Sequence, residues 1–427
     1  MQADGYQYRD GTLPGCLGGG GGTEDGVSNY SGESDGAGGI LEPMAEKEKF
    51  VPQLEVVTPV FLAGADTEDA EVRTPAMIGV WRFWFRAVMG GNVGNDLDRL
   101  RDLEARLFGG VDAKKGEMHS SSVRVVLEEA QVRKQNTEDL RPPPYAGPIP
   151  GRLPPARFPP RPCSSGGAQY LLYSPFLHPE PGASRIQRPK YIAPGSKFKV
   201  RITARDANVL DLVVSSFWLA TWLGAVGMRS RRGAGVLAVV DPPEYELRGN
   251  WRGEGGKLCM QTPGDPNRHM EELKNGIDLI QRVFREHADG GSGWKAIPSY
   301  DVVAKDFFYL GVVLRKNGGF FAAWIDALEE FGITYRDWRA VVRGRGEGET
   351  LSLFGLPLRR VNTQLRRASP LWVRPVRYGD NSWGLILMVF KAQLLEKVRT
   401  FNDGLLSDFL GVISSKFSVT WVDPYRP

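Results

Sequence analysis

Along residues 54–240 the apolar positions switch repeatedly between a period of two and a period near 3.6. Residues 54–61 are apolar and β-branched and predict a strand. Thr74-Pro75 predicts a helix start, with Thr as the N-cap and Pro at the first helical position. Ile78, Trp81, Phe85 and Met89 follow at helical spacing, and Gly90-Gly91 reads as the stop. A second, shorter helix is predicted over residues 96–108, closed by Gly109-Gly110. Residues 122–131 and 169–173 read as strands. In residues 197–203, Phe198, Val200 and Ile202 alternate with Lys197, Lys199 and Arg201, giving a strand with one apolar and one basic face. An apolar helix over 212–223 and a strand over 236–240 complete the series. With the short helix and one short strand set aside, the order is β-α-β-β-α-β. That is the split βαβ of ferredoxin-like folds and of RNA-recognition (RRM-like) modules, and the fold class is α+β.

The second half repeats the alternation less clearly. Leu273, Ile277, Ile280 and Phe284 form one stripe of a helix over 270–287, with Glu271 and Glu272 in its first turn and Arg285 and His287 in its last. Residues 320–331 predict another helix. Residues 371–390 predict a hairpin around Gly379-Asp380-Asn381, whose first strand Pro375 confines to an edge or a bulge. A helix over 391–401 follows. These patterns divide the chain into residues 1–47, a first ferredoxin-like domain over 48–243, and a second α+β, ferredoxin-like domain over 244–427.

Two stretches break the pattern. Residues 1–47 are Gly-rich and acidic with few aliphatics, so they are expected to be disordered. Residues 142–162 (PPPYAGPIPGRLPPARFPPRP) read as an extended, polyproline-like insertion. Charge follows the same division: of the formal net +4 over 427 residues, the first 50 carry −6 and the remainder +10. That excess suits a nucleic-acid partner without requiring one. The three cysteines, Cys16, Cys163 and Cys259, and the four histidines are scattered, so neither a disulfide framework nor a zinc site is expected. A reducing, cytoplasmic setting fits. No apolar run reaches the ~18 residues of a membrane span, no secretory leader is recognisable, and the motifs call for no cofactor.

The densest candidate chemistry lies at residues 224–237, GAVGMRSRRGAGVL. Gly224, Gly227, Gly233 and Gly235 bracket Arg229, Ser230, Arg231 and Arg232 between a helix and a strand. Glycine permits positive φ and close approach of backbone to an anion, and guanidinium groups fork onto phosphate oxygens. The Walker spacing is absent, so a run of phosphates suits the loop better than a single nucleotide. A solvated basic loop is the competing reading of the same residues. Arg82 and Arg86 share a helix face, interleaved with aromatics in WRFWFR, and either meet phosphates or snorkel from a partly buried helix. Arg73 stands just before that helix. Arg366, Arg367 and Arg374 flank Trp372 in RRASPLWVRP, where the indole is a candidate base-stacking platform or a structural tryptophan. Asp66, Glu68, Asp69 and Glu71 crowd one loop. Acid clusters hold metals or act as bases, but a solvated loop is the commoner form, and no nucleophile motif accompanies this one.

Four segments, residues 58–87, LEARLFGG (103–110), GAVGMRSRRGAG (224–235) and FGLPL…RRASPLWVRP (354–375), together resemble the RAMP superfamily, in particular the first RAMP subunit of the Cmr complex, the type III-B CRISPR effector. The resemblance runs from about residue 50 to 390. It implies two ferredoxin-like domains, a glycine-rich loop on RNA, and a position near the 3′ end of the guide (CRISPR) RNA. It also implies sister RAMP subunits and target RNA as partners, and a role in target capture rather than cleavage. The leading expectation is a non-catalytic RNA-binding subunit. Alternatives are a RAMP endoribonuclease using Asp66 or Asp69 with a metal, and a structural adaptor that touches RNA incidentally.

Overall fold

A computed structural model describes residues 48–66, 68–111, 116, 118–140, 166–172, 190–251, 256–288, 294–345, 351, 354, 368–393 and 402–427. Leader 1–47, the proline-rich 142–162, Arg366, Arg367 and nearly all of the predicted 391–401 helix lie outside these residues.

Strands β1 (Glu48–Phe50) and β2 (Gln53–Val56) are one strand in register terms, interrupted at Val51-Pro52, where proline has no N–H to donate to the ladder. Helices α1 (Thr74–Val93) and α2 (Leu97–Phe108) follow, then a two-residue pair, β3 (Gly110–Val111) with β4 (Met118–His119). Next come β5 (Val123–Gln131), β6 (Lys134–Asn136), α3 (Gly167–Leu171), β7 (Lys190–Ile192), β8 (Lys197–Ala204), α4 (Ala207–Trp222) and β9 (Leu237–Asp241). The first sheet is antiparallel, with β8 between β5 and β1/β2, and β9 outside β2.

A small hairpin, β10 (Glu244–Glu246) with β11 (Lys257–Cys259), leads to α5 (Pro266–His287), which packs on α1 and α4. The second sheet comprises β12 (Phe308–Arg315), β13 (Leu371–Gly379), β14 (Ser382–Phe390) and β15 (Phe417–Trp421), with α6 (Trp324–Gly344) after β12 and α7 (Asp403–Lys416) before β15. Its order is β13-β14-β12-β15, again antiparallel. Both halves therefore share one element order, β-α-β-β-α-β, and one strand order, in which the third strand lies between the second and the first and the fourth is outermost beside the first. β13 is an edge strand, where Pro375 is tolerated.

The second sheet is buried on both faces. Leu310, Val312, Ile386 and Met388 join the core of α1, α4, α5 and the first sheet, while Val313, Leu385, Leu387 and Val389 join a core under α6 and α7. Two-sided burial explains why β12 and β14 are almost continuously apolar instead of alternating.

Several elements depart from the sequence pattern for definable reasons. α1 has Arg73, not Thr74, in its cap position and runs through Gly90-Gly91 to end at Gly94. Those two glycines mark close packing instead of a stop: a Cβ at Gly90 would lie 2.5 Å from the Tyr300 ring, and one at Gly91 2.9 Å from the Val303 carbonyl. The strand expected at 169–173 is the short helix α3. Its Gly167 backbone lies directly against Gly332 of α6, where a Cβ would fall 2.1 Å from the Gly167 carbonyl, and Ala168 N donates to Glu329 at 2.9 Å. The helix expected at 320–331 begins at Trp324, because Phe321 exchanges two 2.9 Å backbone hydrogen bonds with Trp383, and it continues to Gly344. α4 starts five residues before the expected 212, capped by Asp206, which accepts from Val209 N at 2.8 Å.

His269 of α5 is fully buried against β13, its Nδ1 2.9 Å from the Tyr378 hydroxyl. Burial, and secondarily the charge of Arg374, push its pKa down to about 3. The folded value thus lies below the ~6.5 of an unfolded histidine, so this group's contribution is fully present above pH 6.5 and is lost as pH falls. Between pH 6.5 and 5, above most carboxylate titration, stability is expected to fall by up to ~1.4 kcal/mol per pH unit from this residue. Urea midpoints of wild type and His269→Gln at pH 7, 6 and 5 check it: the variant should show the shallower decline, and parallel declines would refute the assignment.

Candidate nucleic-acid interface

The loop between α4 and β9 sits at the seam of the two sheets. Its backbone is fastened on both sides. Met228 N donates to Phe61 O at 2.8 Å, Gly235 N to Pro59 O at 2.8 Å and Val226 N to Gly235 O at 2.9 Å, while Val373 N of β13 donates to Arg231 O at 3.2 Å. Arg229 takes φ 62° and Gly227, Gly233 and Gly235 take 79°, 95° and 75°. The Arg232 N–H closes the turn onto Arg229 O at 2.8 Å. The glycines serve the protein's own backbone: a Cβ would lie 2.5 Å from Phe61 O at Gly227 and 1.8 Å from Val226 O at Gly235. Close approach was expected toward an anion; the approach made here is toward other segments of the same backbone.

The side chains of the loop and its surroundings are buried to different degrees. Arg231 Nη1 donates to Ser369 O at 2.8 Å and lies 3.3 Å from Asp301 Oδ2, with its guanidinium 4.5 Å from the Trp372 ring and 5.4 Å from the Phe83 ring. Burial lowers its pKa, against the opposing pull of Asp301. Trp372 is itself buried and stacks on Phe83 at 5.1 Å, so the expected base-stacking platform is a core tryptophan. Arg374 is likewise interior instead of at the surface. It is buried, and donates from Nε to Gly224 O at 3.2 Å and from Nη2 to Leu237 O at 3.1 Å and to Thr221 O. Arg82 Nε and Arg86 Nη1 converge on one carboxylate oxygen of Glu104, each at 2.6 Å, so α2 neutralises half of that pair's charge. Arg73 is exposed and donates to Ala63 O at 3.3 Å. Arg229, Ser230 and Arg232 are half-buried on the loop.

Near this seam lies an open cavity of about 300 Å³ lined by Phe83, Arg86, Arg231, Tyr300 and Asp301 among others. The basic face of β8 is less basic than its sequence: Lys199 pairs with Glu129 at 3.2 Å and Arg201 with Glu128 at 2.9 Å, both from the adjacent β5. In the acidic loop, Asp69 is paired with Lys134 and lies 3.6 Å from Lys190, on β6 and β7. The hydrogen bond from Lys134, with the charges of both lysines, holds its pKa below the ordinary carboxylate value against some desolvation. Asp301, Lys134 and Lys190 were not singled out by the sequence, because each is brought in from a separate element and carries no motif of its own; Glu104 lies in the LEARLFGG segment, which did not show that it would pair with Arg82 and Arg86.

Residues 53–238 match the RAMP superfamily, and residues 320–423 match the Cmr1-like C-terminal family, ranges that cover most strands of each sheet. The chain is 27% identical over 380 residues to CRISPR system Cmr subunit Cmr1-1 of Pyrococcus furiosus, covering 87% of this chain and 96% of that one. It is 30% identical over 200 residues to Cmr1-2 of the same organism, covering 44% of this chain and 92% of that one. The crystal structure of apo Cmr1 from Pyrococcus furiosus superposes with a TM-score of 0.54 at 24% identity, covering 88% of this chain and 98% of the other, which shows a shared fold. Among the described residues no helix is long and apolar enough to cross a membrane.

Proposed function

The chain belongs to the Cmr1-like family of the RAMP superfamily, and from this premise we propose that it is a non-catalytic RNA-binding subunit of a type III-B CRISPR effector complex. It works in the cytoplasm beside other RAMP subunits, near the 3′ end of the guide RNA, and helps capture target RNA in antiviral defence. One observation carries the RNA-binding part: the loop at the seam is locked by backbone hydrogen bonds while it presents Arg229, Ser230 and Arg232. A pre-ordered basic loop loses little conformational entropy on meeting a phosphate. The repeated strand order supports reading both halves as ferredoxin-like, the scaffold RNA-recognition modules use.

The test is RNA affinity as a function of salt. Single-stranded RNA should bind the full-length chain with an affinity that falls linearly on a log–log plot, and Arg229→Ala with Arg232→Ala should reduce that slope by roughly 1.4, about 0.7 per phosphate contact. An adaptor reading is favoured by the internal use of Arg82, Arg86, Arg231 and Arg374. It predicts RNA binding that is absent or insensitive to salt.

Catalysis by the acidic loop is disfavoured by the state of Asp69: a carboxylate paired with two lysines and lowered in pKa is a weak proton acceptor. Asp66→Ala and Asp69→Ala are expected to leave target-RNA cleavage by the assembled complex close to wild type. A drop of ~10²-fold or more with assembly intact, the scale of a lost general base, would assign the loop a catalytic role instead.

A further inference from the structure

α6 places Tyr335 and Arg339 one turn apart, so that Arg339 Nη1 donates to the Tyr335 hydroxyl at 2.9 Å and its guanidinium lies 5.4 Å from the Tyr335 ring. From the loop side, Arg232 Nη2 reaches the same hydroxyl at 3.4 Å, with its guanidinium 5.0 Å from the same ring. Tyr335 is 1% exposed and Arg339 8%. Two cations are thus gathered round one phenol, and no carboxylate of the described residues is paired with either. A phenolic oxygen has two acceptor positions, both taken here by guanidinium donors, whereas each guanidinium has five N–H groups to satisfy. Arg232 Nη1 and Arg339 Nε are both buried without a hydrogen-bond partner. Burial alone would raise the phenol's pKa; the charges and hydrogen bonds of the two arginines overcome it and lower the pKa below that of an ordinary tyrosine. The cluster thus carries two positive charges with no paired carboxylate among the described residues, and isolated buried charge is costly.

We infer that Arg232, Arg339 and Tyr335 form a phosphate-binding site, in which one phosphate group of a bound RNA supplies the anion that the cluster lacks. Two guanidinium groups forking onto the oxygens of one phosphate satisfy both orphaned nitrogens. Arg232 is half-buried and next to Arg229 and Ser230, so the cluster borders the seam loop. The inference rests on the RNA-binding reading above and deepens it, adding two residues of α6 that no basic motif marks. An internal phosphodiester and a terminal phosphate monoester share this chemistry.

The full-length chain is titrated with single-stranded RNAs of one sequence ending in 3′-hydroxyl, 3′-phosphate or 5′-phosphate, and its thermal unfolding is followed in inorganic phosphate against chloride at equal ionic strength. Arg339→Gln is expected to weaken RNA binding about tenfold, the scale of one charge-assisted hydrogen bond, and to reduce the salt slope by roughly 0.7. Equal weakening for all three RNAs assigns the site to a backbone diester; weakening confined to one end-phosphorylated RNA assigns it to that terminus. Inorganic phosphate should raise the wild-type melting temperature and should do so less in Arg339→Gln and in Arg232→Gln, which also decides the matter if Arg339→Gln folds poorly. A folded Arg339→Gln with wild-type RNA affinity and slope overturns the site while leaving the RNA-binding reading standing. A wild-type chain that binds no RNA, yet loses its phosphate-dependent stabilisation in both variants, overturns that reading and keeps the phosphate site. Stabilisation by phosphate that is absent in wild type, or retained in both variants, overturns the site.

Discussion

Gly235→Val is expected to destabilise the protein by about 3 kcal/mol or more, enough to lower the melting temperature by about 3 °C or more in a chain of this size. Gly235 holds φ 75°, a region that β-branched residues strongly disfavour. Its Cβ would fall 1.8 Å from the Val226 carbonyl, which accepts no such approach without breaking the Val226 N to Gly235 O bond that closes the loop. Because the offending atom is Cβ itself, Gly235→Ala should show most of the loss. Gly79 supplies the control: it lies on the exposed side of α1 with open space where a Cβ would be, so Gly79→Ala should stabilise the helix by roughly 0.5–1 kcal/mol. Differential scanning calorimetry of the three variants decides it. Wild-type stability in Gly235→Val would mean the loop closes by another route.

Arg374→Met, which keeps the length of the side chain and removes its charge, is expected to cost about 3–5 kcal/mol in urea unfolding. Arg374 projects from β13 of the second sheet onto Thr221 O and Gly224 O at the end of α4 and onto Leu237 O at the start of β9. Carbonyls at a helix C-terminus have no partner within the helix and favour a cation. One guanidinium therefore satisfies three acceptors from the first half and fixes the seam on which the candidate interface lies. Its burial depresses the pKa to about 9, so it remains protonated at neutral pH. Arg374→Lys should recover only part of the loss, since a single ammonium cannot reproduce the fork. A cost below about 1 kcal/mol for Arg374→Met would show that the three carbonyls find other donors.

Residue type alone does not separate these arginines. Arg231, Arg232 and Arg374 look equivalent in sequence, yet one is sandwiched against Trp372 and Asp301, one faces Tyr335, and one bridges the sheets. The periodicity of β8 was legible because one of its faces meets solvent. β12 and β14 lack such alternation because both their faces are buried, and the β13–β14 hairpin was readable chiefly from its Gly-Asp-Asn turn. Gly90-Gly91 misled because glycine at a close backbone crossing is indistinguishable, along the chain, from glycine at a stop.

By itself the sequence determined the α+β class, the β-α-β-β-α-β order of the first half, the apolar face of β8, the amphipathic α5, the hairpin of β13 and β14, and the arginine–glycine loop, because all of these depend on neighbours within a few residues. Tertiary structure alone decided that α3 is a helix, that Glu104 takes up Arg82 and Arg86 and that Trp372 and Arg374 are interior. It also decided that Tyr335 and Arg339 stand behind Arg232. Those outcomes turn on pairs of groups at least 18 positions apart, as in Arg86–Glu104 and Phe83–Trp372. Whether a charge finds its partner across such a distance is set by packing, to which local pattern is blind.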